Sequence, residues 1–227
     1  MRTIFKALLG VAIIFMVYLC YSSIMTPIRF EAEKAIRDQA VIARLIDIRK
    51  AQIEFNNQNQ RYTASFDTLI HFVRTAQIPI IMKKGELTDY QLSKGLTERI
   101  ALTLTEKDAA KYGVDNFELF RATFRRDTSF VSVLDSVFGK NFAIDSIPYV
   151  PFGNGARFEM ETSIHEAAGG AIKIPLFEAR TPFTVYLQGL DQQEIHNLID
   201  ARRTQVKFPG LKVGDIESPN NNAGNWE

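Results

Sequence analysis

Two adjoining stretches near the N-terminus decide the fold: residues 7–25 read ALLGVAIIFMVYLCYSSIM, and residues 28–62 read IRFEAEKAIRDQAVIARLIDIRKAQIEFNNQNQRY. The first stretch carries no charged residue and has nearly the length of a helix that crosses a hydrocarbon core about 30 Å thick. The second stretch is charged but keeps apolar residues at intervals of three and four, which is typical of an amphipathic helix. The sequence therefore predicts an N-terminal membrane anchor over residues 1–27 that continues into an amphipathic helix over residues 28–60.

Three interpretations of the anchor remain open. A cleaved signal peptide needs small residues after the apolar run, and residues 21–24 (YSSI) fit that requirement poorly. A lipoprotein signal would make Cys20 the new N-terminus, but the bulky Leu19 precedes it. We favour an uncleaved anchor. Because Arg2 and Lys6 precede the anchor without an acidic residue, the positive-inside rule favours a cytoplasmic N-terminus and an extracytoplasmic C-terminal domain, periplasmic in a Gram-negative cell.

The composition of the remaining chain limits the classes of function. Hydrophobic residues make up 46% of the sequence and aromatic residues 11%, which is typical of a globular protein. Of the 27 basic residues, 25 remain once Arg2 and Lys6 are set aside, against 26 acidic residues, so charge gives no basis for nucleic-acid binding. The single cysteine, Cys20, lies in the anchor, which excludes a disulfide or a cysteine-based metal site elsewhere.

The residues after the long helix alternate between helical and strand patterns. Helices are predicted after an N-cap at Ser65 and over residues 87–96, 105–112 and 191–203. Strands are predicted over residues 78–82, 100–104, 157–166, 171–178 and 183–188, with a period-two pattern over residues 117–124. We expect a single extracytoplasmic α+β domain over residues 61–216 with a mostly antiparallel sheet, and a disordered, asparagine-rich tail over residues 217–227.

The apolar side of the amphipathic helix has two possible uses. Packing against the helix's own domain is the use we favour. The alternative is a coiled coil with another copy of the chain, although Gln39, Arg49 and Gln52 interrupt a strict heptad. The helix is expected to end near Asn56 and Asn57, where polar residues replace the periodic apolar ones.

The end of this helix resembles type IV pilins and the pseudopilins of type II secretion. The matching segments are residues 51–55 (AQIEF), 57–60 (NQNQ), 61–63 (RYT) and 65–69 (SFDTL), and the resemblance covers about the first 70 residues. It departs from those families at the prepilin peptidase site, because Gly10 is followed by Val11 and Phe15 stands where a glutamate is usual. The resemblance implies a pilin-like or secretion-related envelope subunit, but it does not imply peptidase processing.

Candidate catalytic and metal-binding residues do not form a constellation. His71 lies between apolar residues of a predicted helix, His165 and Glu166 point to opposite faces of a predicted strand, and His196 lies on another predicted helix. Gly153 with Gly155, and Gly169 with Gly170, have the spacing of turns. The first pair lacks the lysine of a phosphate-binding loop, and the second lacks a capped helix after it. We therefore expect no enzyme activity, no cofactor and no metal.

Two features are candidate interaction sites. Arg121, Arg125 and Arg126 form a basic cluster that could contact lipid phosphates or an acidic partner, although a solvated strand face is the interpretation we favour. Trp226 could anchor a partner from the tail, and the alternative is an unconstrained tail. The sequence favours a membrane-anchored, non-enzymatic structural or assembly subunit of a cell-envelope complex. Its partners would be the lipid bilayer and other copies or other envelope proteins, and no nucleic acid or small-molecule substrate is indicated. The alternative is a membrane-presented ligand- or surface-binding domain, which could be a lipoprotein.

Overall fold

A computed structural model describes residues 2–170 and 172–227 of the chain. The helices are α1 (Arg2–Asn59), α2 (Phe66–Thr75), α3 (Asp89–Ser93), α4 (Glu98–Thr103), α5 (Glu106–Ala109), α6 (Phe117–Thr123), α7 (Phe183–Tyr186) and α8 (Gln192–Thr204). The strands are β1 (Gln77–Lys84), β2 (Arg125–Ser132), β3 (Glu159–Ala167), β4 (Ile172–Pro182) and β5 (Gly210–Gly214). The fold is α+β with antiparallel sheets, which confirms the predicted class.

The predicted anchor and the predicted amphipathic helix form one helix, α1, of 58 residues. At 1.5 Å per residue it is about 87 Å long. Pro27 lies within it, where a proline removes one backbone hydrogen bond. The hydroxyl of Thr26, the residue directly before Pro27, donates to the carbonyl of Ser22 at 2.8 Å. The helix ends close to the predicted position, and Gln60 follows in the left-handed conformation with φ 57°.

The described chain forms two compact units, which differs from the single domain predicted over residues 61–216. The first unit contains residues 2–73 and 140–227, and the second contains residues 74–139. Residues 74–139 form a unit of their own because they build a separate apolar cluster, consisting of Leu96, Ala101, Leu104, Ala109, Val114, Phe120 and Phe124. Its strands β1 and β2 pair as an antiparallel ribbon from Gln77 opposite Ser132 to Lys84 opposite Arg125.

The core of the first unit lies between the second half of α1 and the sheet β3–β4–β5. The buried residues on α1 are Phe30, Val41, Leu45, Ile48, Ala51, Gln52 and Phe55, and those on β4 and β5 include Phe177, Ala179, Leu211 and Val213. The predicted hairpin is confirmed, with Glu159 opposite Arg180 and Ala167 opposite Ile172. The predicted helix at 191–203 is also confirmed as α8, where the Asp191 carboxylate accepts from the backbone N–H of Glu194 at 3.1 Å.

Three short strand predictions are wrong. Residues 100–103 belong to α4 and residues 117–123 to α6, and residues 183–186 form α7 after β4 has run to Pro182. In the first two cases a cap decides, because Thr97 and Asn116 each accept a backbone N–H of the first helical turn, at 3.4 Å and 2.9 Å. A short apolar run fits both the two-residue period of a strand and the 3.6-residue period of a helix. The N-cap residues therefore distinguish helix from strand better than the periodicity does.

The C-terminal segment is ordered, which contradicts the prediction of a disordered tail. The backbone N–H of Gly214 donates to Ala223, and that of Asn225 donates to Lys212, both at 3.0 Å. The Asn225 side chain donates to the Gly210 carbonyl at 2.9 Å and accepts from the Lys212 N–H at 3.1 Å. Polar composition does not prevent order here because an asparagine amide can replace the backbone partner that the edge strand β5 lacks.

Candidate functional site

The first half of α1 is the largest uncovered apolar surface in the part of the chain that the structure describes. The helix is long and apolar enough to cross a membrane, and none of its most apolar window is buried by the rest of the described chain. Most of the large described side chains along this half are more than half exposed, among them Leu8 at 66%, Ile14 at 72% and Met16 at 68%. This surface lacks a protein cover within the described chain, and exposed apolar surfaces of this size mark contact with a partner or with lipid.

A cleft of about 560 Å³ lies beside the bend that follows α1, and we call it the Tyr62 cleft. It is lined by Gln60, Arg61, Tyr62, Thr162, Ser163, Ile164, Lys173, Pro175 and Leu176. Two of these residues are cations and none is acidic, so the cleft suits a polar or anionic ligand. The ring of Tyr62 is fixed because it packs against Phe177 at 4.8 Å between centroids and its hydroxyl accepts from Asn222 at 3.1 Å.

The hairpin that forms one wall of this cleft extends beyond the core. The sequence pattern predicts that Phe158, Met160, Thr162 and Ile164 face the core. Phe158 is buried and Met160 half-buried, whereas Ile164 is 65% exposed. The prediction fails beyond Met160, where Thr162 and Ile164 are exposed and Ser163 and His165 are half-buried. Alternation along a strand shows which residues share a face but not which of the two faces is covered.

A network of charged side chains links the three strands of the sheet through Glu178, which is 5% exposed. Arg180 donates to Glu178 and Glu159 at 2.9 Å each and to Glu161 at 2.7 Å. Lys212 donates to Glu178 at 2.8 Å and to Asp215 at 3.1 Å. These groups use one another as partners, so the network stabilises the register of the strands.

The network also shifts the pKa values of Lys212 and Asp215. Burial of Lys212 favours its neutral form, but the hydrogen bonds to Glu178 and Asp215 outweigh this effect and raise the pKa of Lys212. Burial of Asp215 likewise opposes ionisation. The hydrogen bonds from the backbone of Glu217, from Lys212 and from the backbone of Ser218 outweigh it, and they lower the pKa of Asp215.

The three predicted interaction arginines lie in different environments. The Arg126 side chain is only 7% exposed, and its guanidinium lies 4.1 Å from the centroid of the Phe124 ring. It donates to Glu98 at 3.1 Å and to the carbonyls of Lys84 and Gly85 at 2.9 Å and 3.2 Å. These partners draw the Arg126 side chain into the second unit, so it is far less exposed than the other two arginines.

The other two arginines are more accessible. Arg125 is 59% exposed and contacts Asp127 at 3.3 Å. Arg121 lies on α6, with its guanidinium 5.7 Å from the centroid of the Phe117 ring. Both side chains remain available to a partner, each with one local contact.

Trp226 lies in the ordered C-terminal segment and is half-buried. Its indole packs against Gly224 so closely that a side chain at that position would overlap the ring. The next residue, Glu227, pairs with Arg49 of α1 at 2.6 Å, and this hydrogen bond lowers the pKa of Glu227. The indole is therefore held against the first unit, whereas the sequence predicted that it would lie in a free tail.

The structure does not bring the candidate catalytic residues together. Among the described residues there is no group of three or more histidine, cysteine, aspartate or glutamate side chains placed to hold a metal ion. His165 pairs with Ile174 across the hairpin, and His196 is exposed on α8. The glycines at 153–155 form a turn in which the Ala156 N–H donates to the Gly153 carbonyl at 2.9 Å.

Comparison with protein-family models, with curated proteins and with solved structures yields no match. The fold and the surfaces described above define the chain as an α+β protein with one long N-terminal helix, half apolar and uncovered, half packed on an antiparallel sheet.

Proposed function

We propose that the chain is a single-pass membrane protein that serves as a structural or assembly subunit of a cell-envelope complex, pilin-like or secretion-related, without enzymatic activity. The observation that carries the proposal is the division of α1 into two halves. One face of the second half is buried against its own sheet, whereas the first half presents apolar side chains on every side with no cover in the described chain.

Lipid is the cover that fits this surface. The stretch from residue 7 to residue 25 contains no charge, and burying apolar area stabilises by about 25 cal/mol per Å². A helix also satisfies its backbone hydrogen bonds internally, as a bilayer requires. With Arg2 and Lys6 at its start, the helix would keep its N-terminus in the cytoplasm and carry both units on the other side.

A role in assembly is supported by how the polar groups are used. The charged residues of the sheet pair with one another, and Arg126 is bound within its own unit. The bend after α1 contains the Arg61–Tyr62 pair on which the resemblance to pilins and pseudopilins rests. Because the peptidase motif is not kept at Val11 and Phe15, the residues that follow Gly10, the proposal is a subunit that keeps its whole N-terminal helix.

The Tyr62 cleft favours a second candidate function, a ligand- or surface-binding domain presented at the membrane. Its volume of about 560 Å³ lies within the range of small-ligand sites, and Arg61 and Lys173 would select an anionic group. In this second candidate function the chain could be a lipoprotein attached through Cys20.

The intact mass and the oligomeric state of protein purified from membranes in mild detergent distinguish these functions. A full-length mass in a discrete assembly is the expected result for an uncleaved assembly subunit. A mass that lacks the 19 residues before Cys20 and carries a lipid adduct would overturn the uncleaved anchor. A full-length monomer would favour the ligand-binding domain.

A further inference from the structure

We infer that α1 has a second apolar face, directed away from its own sheet, and that this face pairs in parallel and in register with α1 of a second copy of the chain. This inference rests on the proposed function, because it requires two copies in one membrane. It names the partner that the assembly role leaves open.

The second face follows from the exposure pattern along α1. Val41 is fully buried, whereas Ala43, two positions on and therefore about 200° around the helix, is exposed. We call this face the outer stripe. It consists of Ile28, Ala32, Ala35, Ile36, Gln39, Ala43, Ile46, Lys50 and Ile53, of which all but the half-buried Ile46 are exposed. Seven of the nine are apolar, which is unusual for a helix face turned away from its own core.

The structure removes two of the three interruptions that the sequence places in a seam for another helix. Gln52 is fully buried on the opposite side of α1 and binds Thr63. Arg49 is directed to Glu227. Gln39 remains, together with Lys50, whose long side chain can extend past an apolar contact to water.

The spacing of the outer stripe suits two straight helices. Its positions 28, 32, 35, 39, 43, 46 and 50 follow each other by four, three and four residues, a period of 11 that is close to the natural repeat of an α-helix. The stripe continues into the uncharged half at Ile14, Val17, Tyr21 and Ile24, all exposed. A contact along this face would run through the anchor without a break.

Two features favour a parallel second copy over an unrelated partner. Copies inserted in one membrane by the same anchor have parallel α1 helices. Arg29 and Glu31, both exposed, lie on opposite flanks of the outer stripe and about 3 Å apart along the axis. In a parallel, in-register pair the Arg29 of each copy therefore faces the Glu31 of the other, even though Glu31 also contacts Lys34 at 3.7 Å.

The alanines and the glutamine make the pairing specific. Ala32, Ala35 and Ala43 allow the two helix backbones to approach closely. Gln39 of one copy would meet Gln39 of the other and form a hydrogen bond between their amides. A single polar residue within an apolar seam fixes the register of a helix pair at some cost in stability.

Disulfide crosslinking of the full-length protein in native membranes tests the inference, with Cys20→Ser removing the only native cysteine. Ala32→Cys and Ala43→Cys lie on the outer stripe, and Glu33→Cys is the matched control because it is exposed, adjacent to Ala32 and off the stripe. Because a disulfide needs Cα atoms within about 7 Å, the two stripe variants should form dimers upon mild oxidation at least about tenfold more than Glu33→Cys.

Equal dimer formation by Glu33→Cys would overturn the inference, and so would the absence of stripe dimers or crosslinks to a different protein. Folding of each variant is checked by protease resistance of the units after α1. If the wild-type protein purifies as a discrete assembly but the stripe forms no dimer, the inference fails and the proposed function stands. If alkaline carbonate extracts the wild-type protein from membranes, the proposed function itself fails.

Discussion

Gln52 of α1 binds both backbone polar groups of Thr63. Its amide nitrogen donates to the Thr63 carbonyl at 2.5 Å, and its amide oxygen accepts from the Thr63 N–H at 3.2 Å. Gln52 is fully buried, so these two bonds are shielded from water. They close the bend between α1 and α2 and hold the adjacent Tyr62 ring against Phe177. The contact between Tyr62 and the sheet therefore depends on one buried side chain near the end of the long helix. Because Tyr62 also lines the Tyr62 cleft, the shape of that cleft depends on the same side chain.

We expect Gln52→Leu to lower the free energy of unfolding by about 2 to 4 kcal/mol, because it leaves the N–H and the carbonyl of Thr63 without their partner. Urea unfolding followed by far-UV circular dichroism measures the change. Gln192→Leu, on the exposed first turn of α8, is the control and should change the stability by less than about 0.5 kcal/mol. Equal effects of the two substitutions would contradict this role for Gln52.

The buried carboxylate of the sheet network gives a second prediction. Glu178→Gln removes the charge that Arg180 and Lys212 share, so we expect a loss of about 2 to 3 kcal/mol, the range for hydrogen bonds to charged groups. Glu159→Gln removes an exposed partner of the same arginine and should cost less than about 1 kcal/mol. Thermal denaturation of both variants beside the wild type distinguishes them, and a larger effect at Glu159 would refute the central position of Glu178.

The hydrogen-bonded Asp215 makes the stability depend on pH. Its folded-state pKa lies below the ordinary value of 3.8, so its contribution is fully present above that pH and disappears as the pH falls through the lower folded value. We expect Asp215→Asn to be less stable than the wild type at pH 7. The difference in unfolding free energy should shrink as the pH is lowered below 3.8, and a difference that stays constant from pH 7 to pH 2 would contradict the shift.

The asparagine-rich C-terminus is expected to stabilise the first unit. Asn225→Ala removes the amide that binds the Gly210 carbonyl and the Lys212 N–H, so we expect a loss of about 1 to 3 kcal/mol. Asn197→Ala, on the exposed surface of α8, is the control. Deletion of residues 217–227 should destabilise the unit as well. If deletion weakens a purified complex while the unit stays equally stable, Trp226 acts on a partner and not on its own fold.

The parts of the fold that the sequence predicts are those fixed by local chemistry. The caps at Ser65 and Asp191 and the existence of strand β3 need only neighbouring residues, and the structure contains all three. The burial of Arg126 depends on Glu98, 28 positions away, and the order of the tail depends on the free edge of β5. The Tyr62 cleft is formed by segments about 100 residues apart, so periodicity carries no signal for it.

Arg126 and its neighbour Arg125 allow a matched test of which arginine is structural. The guanidinium of Arg126 binds Glu98 and three backbone carbonyls at once, those of Lys84, Gly85 and Arg125, which a lysine ammonium cannot reproduce with the same planar geometry. We expect Arg126→Lys to destabilise the second unit by about 1 to 3 kcal/mol, because the side chain at this position is only 7% exposed and a lysine ammonium cannot keep all of the hydrogen bonds that the guanidinium makes. The exposed Arg125→Lys should have almost no effect.

Hydrogen exchange resolved along the chain locates this effect, since the two units have separate cores. Amides of β1 and β2 should exchange faster in Arg126→Lys, whereas those of β3 to β5 should keep the wild-type rate. Faster exchange in both units would mean that they unfold together. Unchanged exchange in both would mean that Arg126 does not stabilise the second unit. Because the carbonyls of Lys84 and Gly85 lie where β1 ends, the ribbon is the element whose protection should fall first.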